Sequence, residues 1–213
     1  AVAEQWLVDW RLSTLPPRQA QPDPNIVIVT ITEETLATLE YRQPVDRGML
    51  AEVVDQLRQK GAKVIGVDLL FDQPTVKEKD DALRAAFAKW PVAPVIAWAG
   101  FEEGLTRRQV DTLEGFFNGV PVRRGYVQMA TDRDGTVRAI YPGRMDEITK
   151  QFESGFPGAI AAQVGASPPR DKIGLSYLLR DKIVEPVFQT YEAQLVPVLP
   201  DELFKDKIVL IGA

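Results

Sequence analysis

The chain has 213 residues, 25 lysines and arginines against 30 aspartates and glutamates, and a net charge of −5. Apolar residues make up 45% and charged ones 26%, which excludes a wholly disordered chain, and the acidic balance argues against nucleic acid as a partner. There is no cysteine and no histidine, so disulfide frameworks, thiolate nucleophiles, zinc sites with nitrogen or sulfur ligands and Ser-His-Asp chemistry are all excluded.

The opening AVAEQWLVDWRLSTL sets Val2, Trp6, Leu7 and Trp10 at helical spacing. The next stretch, PPRQAQPDPN, is rich in proline and polar residues and reads as an extended linker. Residues 1–24 are therefore expected to form a helix and linker, and residues 25–213 a single α/β domain. NIVIVTI, Asn25 to Ile31, is the β-branched run expected of a strand buried on both faces. Thr32 is placed to cap a short helix with Leu36 and Leu39 inward. Asp46 is the expected N-cap of a longer helix that carries Leu50, Val53, Val54 and Leu57 on one face and stops at Gly61. KVIGVDLLF, Lys63 to Phe71, is a second buried strand. Strand, helix and strand in this order predict parallel strands that are neighbours or near neighbours.

A further helix is expected from near Asp80, burying Leu83, Ala86, Phe87 and Trp90, followed by a strand from Val95 to Ala99. Thr106 is placed to cap the next helix, with Val110, Leu113 and Phe117 inward and Asn118-Gly119 as its stop. GYVQMAT and TVRAIYP, joined through Asp132-Arg133-Asp134-Gly135, signal an antiparallel hairpin. FPGAIAAQVG reads as a helix ending at Gly165. Weaker strands are expected over Ile173 to Leu179 and Ile183 to Phe188, and a last one over Ile208 to Ile211. The expected fold class is a single α/β domain, a mixed and mainly parallel sheet with helices on its faces plus the hairpin. The longest apolar stretch, Pro91 to Gly100, falls well short of the roughly 18–20 residues that cross a bilayer. The closing KIVLIGA reads as a buried strand without its following turn, so a piece of a longer protein is expected.

GAKVIG, Gly61 to Gly66, has the glycine spacing of a phosphate loop but leads into a strand and lacks the Lys-Ser/Thr pair, so it reads as a helix stop and a tight helix–sheet contact. Asp132 and Asp134 are weak metal candidates that a hairpin turn explains better. Glu33 follows the first predicted strand and Asp72 the second, at the ends where α/β sheets gather ligands; Asp68 lies within the second strand, Asp81 at the acidic start of the next helix, and Arg47 opens the helix between the first two strands. These five are the ligand-binding candidates. Asp68, within an apolar run, needs a partner, and Arg47 is expected to supply it. Arg123, Arg124, Arg133, Arg138 and Arg144 fall near the hairpin and read mostly as solvated strand-face charges.

Several stretches together resemble one family. They are Asp9-Trp10-Arg11, NIVIVTITEETL, PVDRGMLAEVVDQLRQKGAKVIGVDLLFDQP with Asp80-Asp81 after it, GYVQMATDRDGTVRAI, FPGAIAAQV and KDKIVLIGA. In this order they resemble the second type of CHASE sensor domain (CHASE2), over nearly the whole chain. The chain departs from the family's tryptophan-proline at Gln43-Pro44-Val45, from its aromatic-asparagine at Tyr126-Val127-Gln128, and in the region after Ile173. The resemblance implies the periplasmic, or extracytoplasmic, part of a bacterial inner-membrane receptor. Flanking membrane helices would link it to an adenylate or guanylate cyclase, a histidine kinase, a Ser/Thr kinase or a diguanylate cyclase. It implies no catalysis and no cofactor in this chain, a small-molecule or protein signal, and no nucleic acid. A homodimer is expected, with Trp6 and Trp10 as the signalling and dimer candidates, packed on the domain or on a second copy. The helix that carries them is expected near the C-terminal end of the chain. The alternative is a carboxylate- and metal-dependent hydrolase, which requires several carboxylates converging in one cleft without neutralising arginines.

Overall fold

The structure, a computed structural model, describes residues 6, 7, 10, 14, 23–37, 39, 43–132, 134–147, 149–168, 170–175 and 188–213. The main sheet has six strands, β1 (Ile26–Thr30), β2 (Val64–Asp68), β3 (Val95–Trp98), β4 (Arg123–Tyr126), β10 (Gln189–Glu192) and β11 (Ile208–Gly212), in the order β10-β1-β11-β2-β3-β4. Every pairing in it is parallel. β1 and β2 are thus parallel near neighbours, with the last strand of the chain between them. Because β1 and β11 pair in register, Ile26 with Ile208 and Thr30 with Gly212, the chain enters β1 at the amino edge of the sheet and leaves β11 at the carboxyl edge.

Five helices are described: α1 (Glu33–Ala37), α2 (Arg47–Gln59), α3 (Lys77–Ala88), α4 (Arg107–Phe117) and α5 (Phe156–Gln163). Trp6, Leu7, Trp10 and Thr14 are also helical, as expected at the N-terminus. α2 starts where Asp46 caps it, accepting from the N–H groups of Gly48 and Met49. It buries Leu50, Val53, Val54 and Leu57 as its periodicity predicts, and Gly61 follows with φ +77°. α4 opens with the Thr106–Gln109 capping box and ends at Asn118. α3 begins one turn earlier than the sequence suggests: Val76 precedes it, and Asp80 lies inside the helix, accepting from the Thr75 hydroxyl. That bond ties the helix to the loop before it without capping the first turn.

Inward residues of α2, α3 and α4 form one large core against Val27, Val29, Ile65, Val67, Ile96, Val209 and Ile211. On the opposite face α5 packs against β2, β3 and β4. Its Phe156 and Ile160 sit over Gly66 and Gly125, where any Cβ would fall within 3 Å of them. Gly66 is therefore the close helix–sheet contact read from GAKVIG. β1 departs from expectation: Val27 and Val29 are fully buried, but Ile26 and Ile28 on the other face are only half-buried and join neither core.

The predicted hairpin is present as β5 (Ala130–Thr131) and β6 (Val137–Ile140), joined by β9 (Ile173–Gly174) in a small antiparallel sheet. GYVQMAT is not one strand, however. Its start belongs to β4 in the parallel sheet and its end to β5, because the chain leaves the main sheet after Tyr126. A second antiparallel pair, β7 (Gly143–Met145) with β8 (Phe152–Ser154), has no counterpart in the expectations. Of the strand expected at Ile183 to Phe188 only Phe188 is described, and it is not in a strand. β10 begins one residue later.

Candidate functional site at the carboxyl edge of the sheet

Two consecutive residues at the start of α2 are braced by two at the start of α3. Asp46 Oδ2 lies 2.5 Å from Lys79 Nζ, and Arg47 Nη1 lies 2.8 Å from Asp80 Oδ1. Burial pushes the Asp46 carboxyl up, but Lys79 and the N–H groups of Met49 and Gly48 outweigh that and hold it below the usual range. Arg47 is 2% exposed, donates to the carbonyl of Gln73, and lies over the rings of Phe116 and Phe71 at 4.4 and 5.3 Å. A buried guanidinium satisfied in this way holds the helix start, the 71–75 loop and the aromatic core together.

The expected pairing of Arg47 with Asp68 is not formed. Asp68 is the last residue of β2, beside Gly212, and points to the sheet face opposite α2. Side chains alternate along a strand, so Val67 and not Asp68 faces the helix. Among the described residues Asp68 has no hydrogen-bond or ion-pair partner. The residue is exposed, yet partial desolvation of its carboxyl raises its pKa.

Beyond the strand ends the loops enclose a cavity of about 280 Å³. Gln43, Pro44 and Val45 line it from before α2, Leu69 to Gln73 from after β2, and Ala213 from after β11; the Gln43–Pro44 peptide is cis. Of the candidates, Arg47 and Asp72 both line this cavity; Glu33, Asp68 and Asp81 do not. Asp72 accepts a 2.6 Å hydrogen bond from Gln109 Nε2 on α4. Glu33 is exposed at the start of α1, and Asp81 is exposed and paired with Lys77 one turn earlier on α3. Nothing in the sequence singles out Gln109, and Gln43-Pro44-Val45 stands out there only as a departure from the family pattern, because tertiary folding alone brings Gln109 to Asp72 and the turn to the cavity.

Of the arginines near the hairpin, Arg138, Arg144 and Arg124 are engaged with neighbouring groups, and Arg133 lies outside the described residues. Arg138 is clamped by Asp132 at 3.0 Å and Asp134 at 2.8 Å. Arg138, with the N–H of Thr136, holds the Asp134 carboxyl far below the usual range. These two aspartates therefore build the turn, as the preferred reading had it. Arg144 Nη1 meets Glu102 at 2.7 Å, its Nε meets Glu153 at 3.2 Å, and its guanidinium lies 4.3 Å from the Tyr126 ring. Burial, then hydrogen bonding to Glu153, pushes the Tyr126 hydroxyl up to about 12. Arg124 stacks on Trp98 at 4.2 Å and pairs with Glu114 at 3.3 Å. Among the described residues no group of three or more carboxylates converges to hold a metal. The arrangement demanded of a carboxylate hydrolase is not found there.

The molecule is thus an α/β domain with a parallel sheet, a braced pair of helix starts and a small mixed-polarity cavity where the strands end. The model of the CHASE2 domain family matches residues 1–213, the whole chain, and the chain belongs to that family. CHASE2 is a family of sensory domains of transmembrane signalling proteins, and such domains are extracytoplasmic. No curated protein and no solved structure matches the chain. Among the described residues no helix is long and apolar enough to cross a membrane.

Proposed function

We propose that the chain is the signal-receiving domain of a bacterial inner-membrane receptor. It faces the periplasm and controls a cytoplasmic cyclase or kinase, and it takes its signal at the carboxyl-edge cavity between Arg47 and Asp72. The observation that carries this reading is the sensory-family match over the whole chain, joined to a cavity at the edge where open α/β sheets bind ligands. With Arg47 occupied by Asp80 and Gln73, the polar reach of the cavity comes from Asp72, Gln43 and Gln73. The ligand class this fits is a small molecule with apolar body and hydrogen-bond donors.

The cavity is walled by the segments that follow β2 and β11. A bound molecule therefore touches the chain at Ala213 directly, and a signal passes from there toward the following residues as a shift between two arrangements. The protein works as a homodimer that uses the tryptophan face of the N-terminal helix.

Two measurements on the full-length receptor test this. The chain has no cysteine, so Glu78→Cys on the surface of α3 gives a single label site in this domain. In intact cells it reacts with a membrane-impermeant maleimide; labelling only after the membrane is opened overturns the location. Asp72→Leu changes the output activity while thermal unfolding of the domain stays cooperative. Unchanged output removes the cavity from signalling.

A further inference from the structure

Two of the residues that line the carboxyl-edge cavity carry a side-chain charge, Arg47 and Asp72. The positive one is already neutralised. Arg47 is bonded to Asp80 and to the carbonyl of Gln73, and the Phe116 and Phe71 rings lie against it. The negative one has no such counterpart. Asp72 is half-buried and accepts at Oδ2 from the amide of Gln109, a neutral donor. Among the described residues no lysine or arginine pairs with it, and its Oδ1 has no partner.

Gln109 also fixes the carboxylate. Its Oε1 accepts from the N–H of Thr106 at 3.0 Å and from the Thr106 hydroxyl at 2.8 Å, in the capping box that opens α4. With Oε1 held there, Nε2 is turned to Asp72. The acceptor is thus set in place before any ligand arrives. Much of the remaining wall is apolar: Leu50 and Phe71 belong to the core, and Val45 and Leu69 pack against it.

We propose that the cavity takes an organic monocation, a protonated amine on a compact apolar body, with its ammonium at Asp72 Oδ1 and its body against Leu50, Leu69 and Phe71. This names the ligand class of the signal-receiving cavity and rests on that reading. Desolvation decides the charge. Any molecule that fills the cavity takes water from Asp72. A neutral one leaves the carboxylate desolvated and unpaired, which is unfavourable. An anion adds repulsion, since the charge of Arg47 is already met by Asp80. A cation replaces the lost water with a charge-assisted hydrogen bond in a site of reduced dielectric. At about 280 Å³ the cavity lies just below the usual range of ligand pockets, roughly 300–1,000 Å³. The body is therefore small, a branched alkyl or single-ring amine and not a peptide.

Matched probes separate charge from shape. Isoamylammonium and cyclohexylammonium chlorides are titrated into the 213-residue chain at pH 7, beside isoamyl alcohol and cyclohexanol, with amide NMR shifts reporting both Kd and site. The ammonium probes are expected to bind at least tenfold tighter than the alcohols of the same body, with the largest shifts at Leu69 to Gln73. Asp72→Asn keeps an acceptor for Gln109 and removes only the charge. It is expected to weaken ammonium binding at least tenfold and to change alcohol binding less than twofold. Gln109→Met keeps the charge but frees the carboxylate, and is expected to weaken ammonium binding at least threefold with the alcohols unaffected. Equal affinity for ammonium and alcohol in the parent overturns the cation and leaves the cavity reading standing. An ammonium preference that survives Asp72→Asn overturns Asp72 as its partner, and parent affinity in Gln109→Met overturns the positioning role of Gln109. No shift at residues 69–73 with either ammonium probe overturns the proposal as a whole. Whether the cavity receives a signal at all is decided separately, by the output of Asp72→Leu.

Discussion

Arg47 shows how one side chain serves three elements. Its charge is neutralised by Asp80, its Nη2 donates to the carbonyl of Gln73, and its plane covers Phe116 and Phe71. Arg47→Ala strands Asp80 and leaves a gap under two rings. Because Asp80 keeps some contact with water, the loss falls at the low end for a buried pair, about 3 kcal/mol, readable by urea denaturation. Asp68 has the opposite character. Its folded-state pKa lies above the unfolded value, so the folded protein binds that proton more tightly and loses stability as pH rises from the unfolded pKa through the folded one. Asp68→Asn removes that loss. The variant melts above the parent at pH 7 and together with it below about pH 3.8, as a pH series of thermal melts would show; equal melting at every pH would remove the effect of burial.

Glycine-to-alanine changes separate the roles of two elements. Gly125 in β4 lies under α5, and a Cβ there would stand 2.8 Å from the Cα of Phe156, which is backbone and cannot turn aside. Gly125→Ala is expected to push α5 off the sheet and cost about 1–3 kcal/mol. Gly115 lies inside α4 with nothing within 4 Å of its Cβ position. There alanine lowers the cost of ordering the helix, and Gly115→Ala is expected to stabilise by up to about 1 kcal/mol. Denaturation midpoints of opposite sign check the pair. Similar destabilisation by both would mean that α4 does not tolerate the added methyl.

At the scale of the whole molecule, the last strand is the central one. β11 pairs with both β1 and β2, so a chain of 213 residues closes its sheet only with residues 208–212 in place. Removing residues 208–213 takes Val209 and Ile211 out of the core and leaves the facing edges of β1 and β2 unpaired. The truncated chain is expected to lose cooperative thermal unfolding by circular dichroism, while a chain shortened only by Ala213 keeps it. A cooperative transition in the longer truncation would show that β1 and β2 close on each other.

The local chemistry of the sequence determined most elements and several of their ends. The Asp46 and Thr106 caps, the 3.6-residue periodicity of α2 and α4, the β-branched runs of β1, β2 and β11 and the Asp-Gly turn are short-range effects carried by neighbouring residues. The family was legible too, since motif order along the chain needs no coordinates. Strand order was not, because hydrophobic runs encode burial and not which run lies beside which; only the assembled sheet places β11 between β1 and β2. The Arg47 partner was misread for the same reason. Asp68 is the nearer carboxylate in sequence, but strand alternation turns it to the far face, and the packing of α3 on α2 brings Asp80 instead.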